Sequence, residues 1–339
     1  HNYVDGVCSV CGATDPDYEE PKAKLEALAV SADAEVLLIM RMSFTEELLN
    51  DEAATLIVTE EANEITKVDQ VTIYTMAQVK EMDKDTKGRY AVKTGIASGE
   101  MTGKVTVQIK DGQGNYLKIA DYKSEEVTTS VTRTVVDYIR LALASNDERL
   151  KQLMIAMATY GGYAQRYYGV NAENPVYNVF AEYGVELPDI DTVTVERIQE
   201  ELTVSGADIG IKYKSQKLGL DSRIYMSTLF VLDDGENIND YTFKLTYTQD
   251  GTEHTKVVDP VQDGSGYRIV VEDIPAAYLD YMYKITVTKN TSGEEYSVTS
   301  SVTAWIKRCI NASSQPEALK DMAKAMYLYN QAANEYFKK

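Results

Sequence analysis

Two nineteen-residue segments constrain this chain more than any other feature. LKQLMIAMATYGGYAQRYY (150–168) and LKDMAKAMYLYNQAANEYF (319–337) align without a gap and share seven of nineteen residues. Upstream of them, VTTSVTRTVVDYI, starting at Val127, matches VTSSVTAWIKRCI, starting at Val298. Further back, RYAVKTGIASGEMTGKVTV (89–107) has the shape of YRIVVEDIPAAYLDYMYKITV (267–287). Three matched blocks in the same order indicate one unit of about 140 residues present twice, a period that speaks for duplicated domains and against a solenoid.

Within each unit the apolar pattern changes period. The first two-thirds alternate apolar and polar residues over short runs, as in TVQIKDGQGNYLKI around Asp111 and Gly112 and FKLTYTQDGTEHTKVV around Asp250 and Gly251. Asp-Gly between alternating segments is a hairpin signal, because both turn positions favour positive φ. Several hairpins at about 8–12-residue spacing imply an antiparallel sandwich. The tail of each unit then takes the helical period. Apolar positions fall at Leu150, Leu153, Met157, Tyr160, Ala164 and Tyr167, and again at Leu319, Met322, Met326, Tyr329, Ala333 and Tyr336. Their 3-4-3-4-3 spacing is one stripe down a helix. Burying each Leu- or Met-sized side chain contributes roughly 1.5–3 kcal/mol, so the stripe is accounted for as core. Ser145, Asn146 and Asp147 supply cap residues before the first of these helices, Pro316 suits the first turn of the second, and Gly169 is a C-terminal stop.

The expected fold is therefore α+β, with two homologous domains, each an antiparallel β-sandwich-like sheet followed by a helical hairpin. The divisions read from the sequence are a CxxC knuckle-like segment at 1–22, a first domain at 23–172, a linker at 173–202 carrying Pro175 and Pro188, and a second domain at 203–339.

Charge and cysteine usage narrow the function. The chain of 339 residues has 34 basic and 53 acidic residues, a formal charge of −19. A nucleic-acid partner needs a basic face that releases counterions from phosphate, and no Lys/Arg cluster provides one. No apolar run reaches the roughly 18 residues of a membrane span, so no membrane insertion is expected. Three cysteines exclude a disulfide-stapled framework. The chain begins at His1, and a signal peptide is expected to have been removed upstream.

At the amino terminus, HNYVDGVCSVCG places Cys8 and Cys11 at x2 spacing before Gly12. The tight turn of such a knuckle aims backbone N–H groups at the first thiolate, and Gly12 can take the positive φ that closes it. His1, Cys8 and Cys11 plus one further ligand would make a structural zinc site; a CxxC without metal is the other reading. A thioredoxin-type role lacks its βαβ context.

Acid–base chemistry by histidine has little to draw on, since His254 is the only internal one and falls in an expected hairpin. DKDTKG at Asp83 begins like a calcium loop, but Lys87 fills a ligand position and Thr94 stands where the bidentate Glu belongs. DDGEN at Asp233 is likewise read as a turn. Tyrosine is the unusual count, 25 against 5 Phe and 1 Trp. Its flat apolar face and polar tip suit sugars and wet protein interfaces. Tyr281 and Tyr283, two apart and so on one strand face, have no aromatic counterpart in the aligned MTGKV of the first copy. They are the candidate ligand platform, with a domain–domain contact as the other use.

VVDYIRLAL and AMATYGGYAQRYYGVNAENP, with looser counterparts in the second copy, resemble an uncharacterised family of secreted or surface-exposed repeat-domain proteins of Gram-positive gut bacteria. Repeats of that family carry a sheet followed by a helix tail of the type VxDYxxxIL…LVKAMLNYGAYAQxYFGYNT. The resemblance spans about residues 24 to 337. It implies an extracellular or cell-surface location and a modular surface protein, and it carries over no catalytic residue. Similar surface proteins show a CxHxYxxGxCxxCG arrangement, which implies that the fourth ligand is a cysteine just before His1. The expected function is a non-enzymatic adhesion or binding module for a glycan or an extracellular protein. The alternatives are a structural spacer without ligand and a carboxylate-dependent glycoside hydrolase.

Overall fold

The computed structural model describes the chain except residues 1–2, 5–6, 14–19, 33–34, 196–201, 221–222, 250–251, 273 and 338–339. The fold is mixed α+β, built from antiparallel sheets and helices. By contacts the chain divides into two compact units. One comprises His1–Ser31, Leu37–Gly95 and Met101–Arg140; the other comprises Ala32–Val36, Ile96–Glu100 and Leu141–Lys339.

A small hairpin, β1 (Tyr3–Val4) and β2 (Val7–Cys8), opens the first unit. There follow β3 (Ala23–Ala32), β4 (Val36–Phe44), α1 (Glu46–Leu49), β5 (Thr55–Glu60), β6 (Gln70–Thr75), α2 (Met76–Lys80), β7 (Tyr90–Gly95), β8 (Val105–Lys110), β9 (Ile119–Asp121), β10 (Ser124–Thr128), β11 (Val131–Arg133) and α3 (Val135–Leu143). They form two sheets, ordered β10-β9-β3-β4-β7 and β11-β8-β5-β6. Strand β8, VTVQIK, shows why: Val105, Val107 and Ile109 are buried while Thr106, Gln108 and Lys110 are half-buried, the period-two signature of a one-sided strand. The helix α2 starts on a capping box in which Thr75 and Gln78 bond each other's backbone N–H.

The second unit takes in α4 (Glu148–Tyr168) and then β12 (Thr203–Gly206), β13 (Ile211–Leu220), β14 (Ile224–Leu232), β15 (Tyr241–Gln249), β16 (Thr252–Val258), β17 (Val261–Asp263), β18 (Gly266–Val271), β19 (Tyr283–Lys289), β20 (Glu295–Ser300), α5 (Val302–Asn311) and α6 (Glu317–Phe337). Its sheets are β12-β20-β19-β15-β16 and β13-β14-β18-β17. Phe230 of β14 meets Phe243 of β15 edge to face at 5.7 Å, closing the space between the sheets.

The two halves share strand order. The run β3-β4-β7 corresponds to β13-β14-β18, and β11-β8-β5-β6 to β20-β19-β15-β16. By place in the sheet β20 thus matches β11, whereas the VTTSVT/VTSSVT match sets it on β10, which pairs in the other sheet. Strands β4 and β14 even bury the same positions in the same sequence. Two local expectations differ. Asp111 does turn the chain, its carboxylate accepting the N–H groups of Gln113 and Asn115, but only the Lys110–Tyr116 bridge continues from it. The chain then crosses to the other sheet, where β9 pairs with β3 in parallel, an exception to the antiparallel expectation. The Asp250–Gly251 turn lies outside the described residues; the strands flanking it are paired through Gln249 and Thr252.

The sequence reading divides the chain at 23–172 and 203–339; the compact units divide it differently, and α4 packs along α6 within the second of them. The pair is antiparallel, with Arg149 at the start of α4 donating to the Glu335 carbonyl (2.6 Å) at the end of α6. At the crossing the aligned tyrosines, Tyr160 and Tyr329, stack with ring centres 5.8 Å apart and planes 13° apart. Both are almost fully buried, and the Tyr329 hydroxyl donates to the Ala32 carbonyl at 3.0 Å. The stripe is core through its centre, while Tyr167 at its end is exposed. Asp147 caps α4 by accepting the Leu150 N–H, and Gly169 ends it in the left-handed conformation.

Within the expected linker, the short helix Val176–Tyr183 packs on α4 and Asp191 pairs with Lys324 of α6. Val176, Val179 and Phe180 are buried, and Gln165 accepts the Val176 N–H at 2.7 Å. Gly162 makes this approach feasible, since a Cβ there would fall 2.1 Å from the Tyr177 ring.

Candidate functional site

The second unit contains a groove of about 260 Å³ at one end of its sandwich. Its floor includes Tyr247 and Tyr283, which face each other across β15 and β19; the same cross-strand row continues beyond the lining to His254, opposite Tyr247, and Ser300, opposite Tyr283. Beside it runs Lys256, Leu245, Ile285 and Val298. Strand β16 supplies the outer end of both rows and is exposed along almost its whole length, so His254 and Lys256 are wet while Tyr283 and Ile285 are buried.

The opposite wall comes from the segment that follows β18. Glu272 and Ile274 lead to Pro275, and two successive turn hydrogen bonds, Tyr278 N–H to Pro275 O (2.8 Å) and Tyr281 N–H to Tyr278 O (3.0 Å), fold the backbone so that both rings face the groove. The Tyr278 and Tyr281 ring centres stand 4.6 Å apart at an interplanar angle of 57°. Across from them Tyr247 stacks on His254 at 5.3 Å. Met282, largely exposed, completes the rim. The described lining thus holds four tyrosines, several aliphatic groups and two charged side chains, Lys256 and Glu272.

Both tyrosines singled out from the sequence line this groove, but not as two residues of one exposed strand face. Strand β19 begins at Tyr283, so Tyr281 belongs to the preceding turn. Tyr283 is buried, accepting a hydrogen bond from Gln216 Nε2 at 3.0 Å, and burial pushes its phenol pKa upward. It forms the base of the groove while Tyr281 forms the wall. Tyr247, Tyr278, Glu272 and Lys256 were not anticipated. The signal for Tyr247 is the alternation Phe243, Leu245, Tyr247 on β15, which gives the face but not the partner; only the register reveals that it meets Tyr283.

At the amino terminus Cys8 is buried and Cys11 exposed, both as thiols. Gly12, at φ +72°, closes the turn between them by donating its N–H to the Cys8 carbonyl at 2.8 Å. His1 lies outside the described residues. Among the described residues no group of three or more His, Cys, Asp or Glu is placed to hold a metal. The two thiols on a glycine-closed turn fit a zinc knuckle in donor chemistry, and they would supply half of its four ligands.

The carboxylates considered for calcium already hold protein cations. Asp83 pairs with Lys93, Asp85 with Arg89 (2.6 Å) and Asp233 with Lys212 (2.9 Å). His254 is exposed, as its hairpin position predicted. Among the described residues no helix is long and apolar enough to cross a membrane. Neither a protein-family model nor a curated protein matches this chain.

Proposed function

We propose that the chain is an extracellular, non-enzymatic adhesion or binding module of a surface protein, and that the groove of the second unit is where it holds a glycan. The observation that carries this reading is the convergence of Tyr247, Tyr278, Tyr281 and Tyr283 on one open groove of about 260 Å³. A pyranose presents a face of C–H groups that stacks on aromatic rings and a rim of hydroxyls that seeks polar partners. Here the rings supply the faces, and Lys256, Glu272 and Thr248 supply a donor, an acceptor and a hydroxyl at the edges. A carboxylate-dependent hydrolase needs two carboxylates flanking the scissile bond, and the described lining offers Glu272 without a second. Zinc at the knuckle is a separate proposal: one zinc per chain in a form extended upstream of His1, lost on Cys8→Ser.

The test is a glycan array with the intact chain, followed by calorimetric titration of the best binder. Tyr281→Ala removes a half-exposed wall ring, so affinity is expected to fall at least about tenfold, about 1.4 kcal/mol, while the melting temperature holds. No glycan bound above background, with the chain shown to be folded, would turn the reading toward the spacer.

A further inference from the structure

We propose that β6 is a self-association edge through which two copies of this chain pair, strand to strand. Sheet edges expose a row of backbone donors and acceptors, and proteins normally guard them with charged side chains. Among the described edge strands of six residues or more, the guard is present everywhere but here. Strand β13 carries Lys212, Lys214 and Lys217; β16 carries Glu253 and Lys256; β7 carries Lys93. Strand β6, QVTIYT, has no charge at all in a chain of net charge −19.

It is also apolar where it faces water. Val71 and Ile73 are 55% and 59% exposed on one face, opposite Thr59 and Ile57 of β5, and Ile65 and Val68 are exposed on the approach to the strand. Such an uncharged, β-branched, proline-free edge is built to accept another strand.

The occupant follows from charge and register. A two-fold axis normal to the sheet keeps each residue's face, so opposed residues must have an even sum. Centring the axis on Thr72 sets Val71 against the partner's Ile73 twice, and Gln70 against the partner's Tyr74. Asp69, the nearest charge, then meets the partner's Thr75. The approach of each copy, with Glu60, Glu61, Glu64, Lys67 and Asp69 and so net acidic, thus runs toward the uncharged end of the other strand, and like charges do not face one another. A second copy therefore satisfies both the apolar face and the charge pattern.

Sedimentation velocity of the intact chain over a concentration series tests this. Wild-type protein should shift from monomer to dimer, and Val71→Lys with Ile73→Lys should weaken the dimer by roughly tenfold or more, since lysines then face one another across the axis. Val257→Lys, at an exposed position of the guarded strand β16, should leave the dimer unchanged. Concentration-dependent slowing of amide exchange at residues 70–75 in the unmodified chain gives a readout that needs no variant. A wild-type chain that stays monomeric up to several hundred micromolar, a dimer indifferent to the β6 lysines, or exchange at 70–75 independent of concentration overturns the proposal. Capture of an extended segment of a different protein by a monomeric chain also overturns it.

Discussion

The two sandwiches share a strand order but not an outline, and the difference is a matter of two rungs. Strands β15, β16 and β19 run nine, seven and seven residues, where β5, β6 and β8 each run six. With Val107 aligned on Val287, the last rung of the first copy pairs Glu60 with Val105, and Gly103 stands where the second copy has Tyr283. The second copy continues to Tyr247 opposite Tyr283, and that extra length is the floor of its groove. The first copy, ending sooner, has no such floor and leaves β6 uncharged; the second has the floor and a charged edge. On the proposals above, one strand order carries a groove for a ligand in the second unit and an edge for another copy in the first.

The sharpest way to break this comparison is where the aligned tyrosines of the two long helices meet. Tyr160→Ala or Tyr329→Ala is expected to cost about 3–5 kcal/mol each in urea unfolding, the range for truncating a large buried ring. The double variant should cost less than the sum, because the two rings stack on one another and share one void. Strict additivity would show that the helices do not meet there.

Next in size is a glycine that only the first copy has. Position 162 aligns with Gln331, which is exposed on α6, whereas a Cβ at 162 would run into the Tyr177 ring. Gly162→Ala places a methyl inside the ring's contact distance, so a loss of about 1–3 kcal/mol is expected despite the gain of up to roughly 1 kcal/mol that alanine brings to a helix. Gln331→Ala, on an exposed position of α6, should be neutral within about 0.5 kcal/mol. A smaller effect again separates the stacked pair itself. Tyr329→Phe deletes the hydroxyl that donates to Ala32 and leaves that buried carbonyl short of a partner, at a cost of about 0.5–1.5 kcal/mol. Tyr160→Phe deletes a hydroxyl beside Ser98 and should cost less.

These contrasts also show what the residues could disclose in advance. The α+β class, the stripe on each long helix, the Asp147 cap and the Gly169 stop were legible because each is a local pattern with a local cause. The stripe says that a face is buried, though not against what; nothing in 150–168 names α6 as its neighbour. The groove was half legible for the same reason. An aromatic present in one copy only drew attention to Tyr281 and Tyr283, but assigning both to one strand face required knowing that β19 begins at Tyr283. The meeting of Tyr247 with Tyr283 is set by a register between strands 36 residues apart, which no local period encodes. The departure of the chain after Asp111 toward β9 is likewise a tertiary choice: the turn chemistry was read correctly, and the next strand lay elsewhere.

The smallest expected effect is electrostatic and has opposite sign in the two units. In the first, Asp85 accepts the N–H groups of Lys87 and Arg89 and an Arg89 Nε bond at 2.7 Å, and that guanidinium holds its pKa down at about 2 against an ordinary 3.8. A depressed carboxyl stabilises the folded state above its unfolded pKa and loses that contribution as pH falls from near 4 to near 2. In the second, burial on α6 pushes the Asp321 carboxyl upward, outweighing the nearby Lys324. Its ionised form is therefore a liability in the folded state, present at neutral pH and relieved as pH falls through the raised value toward 3.8. Asp85→Asn should lower the melting temperature at pH 7 and converge on wild type near pH 2. Asp321→Asn should raise it slightly at pH 7, with the advantage disappearing by about pH 4. Both groups are half-buried yet still reach solvent, so each shift should be small and should shrink with added salt. Melting curves of the three proteins between pH 2 and pH 7 read the two signs directly, and the same sign for both substitutions at neutral pH would contradict the opposition between the units.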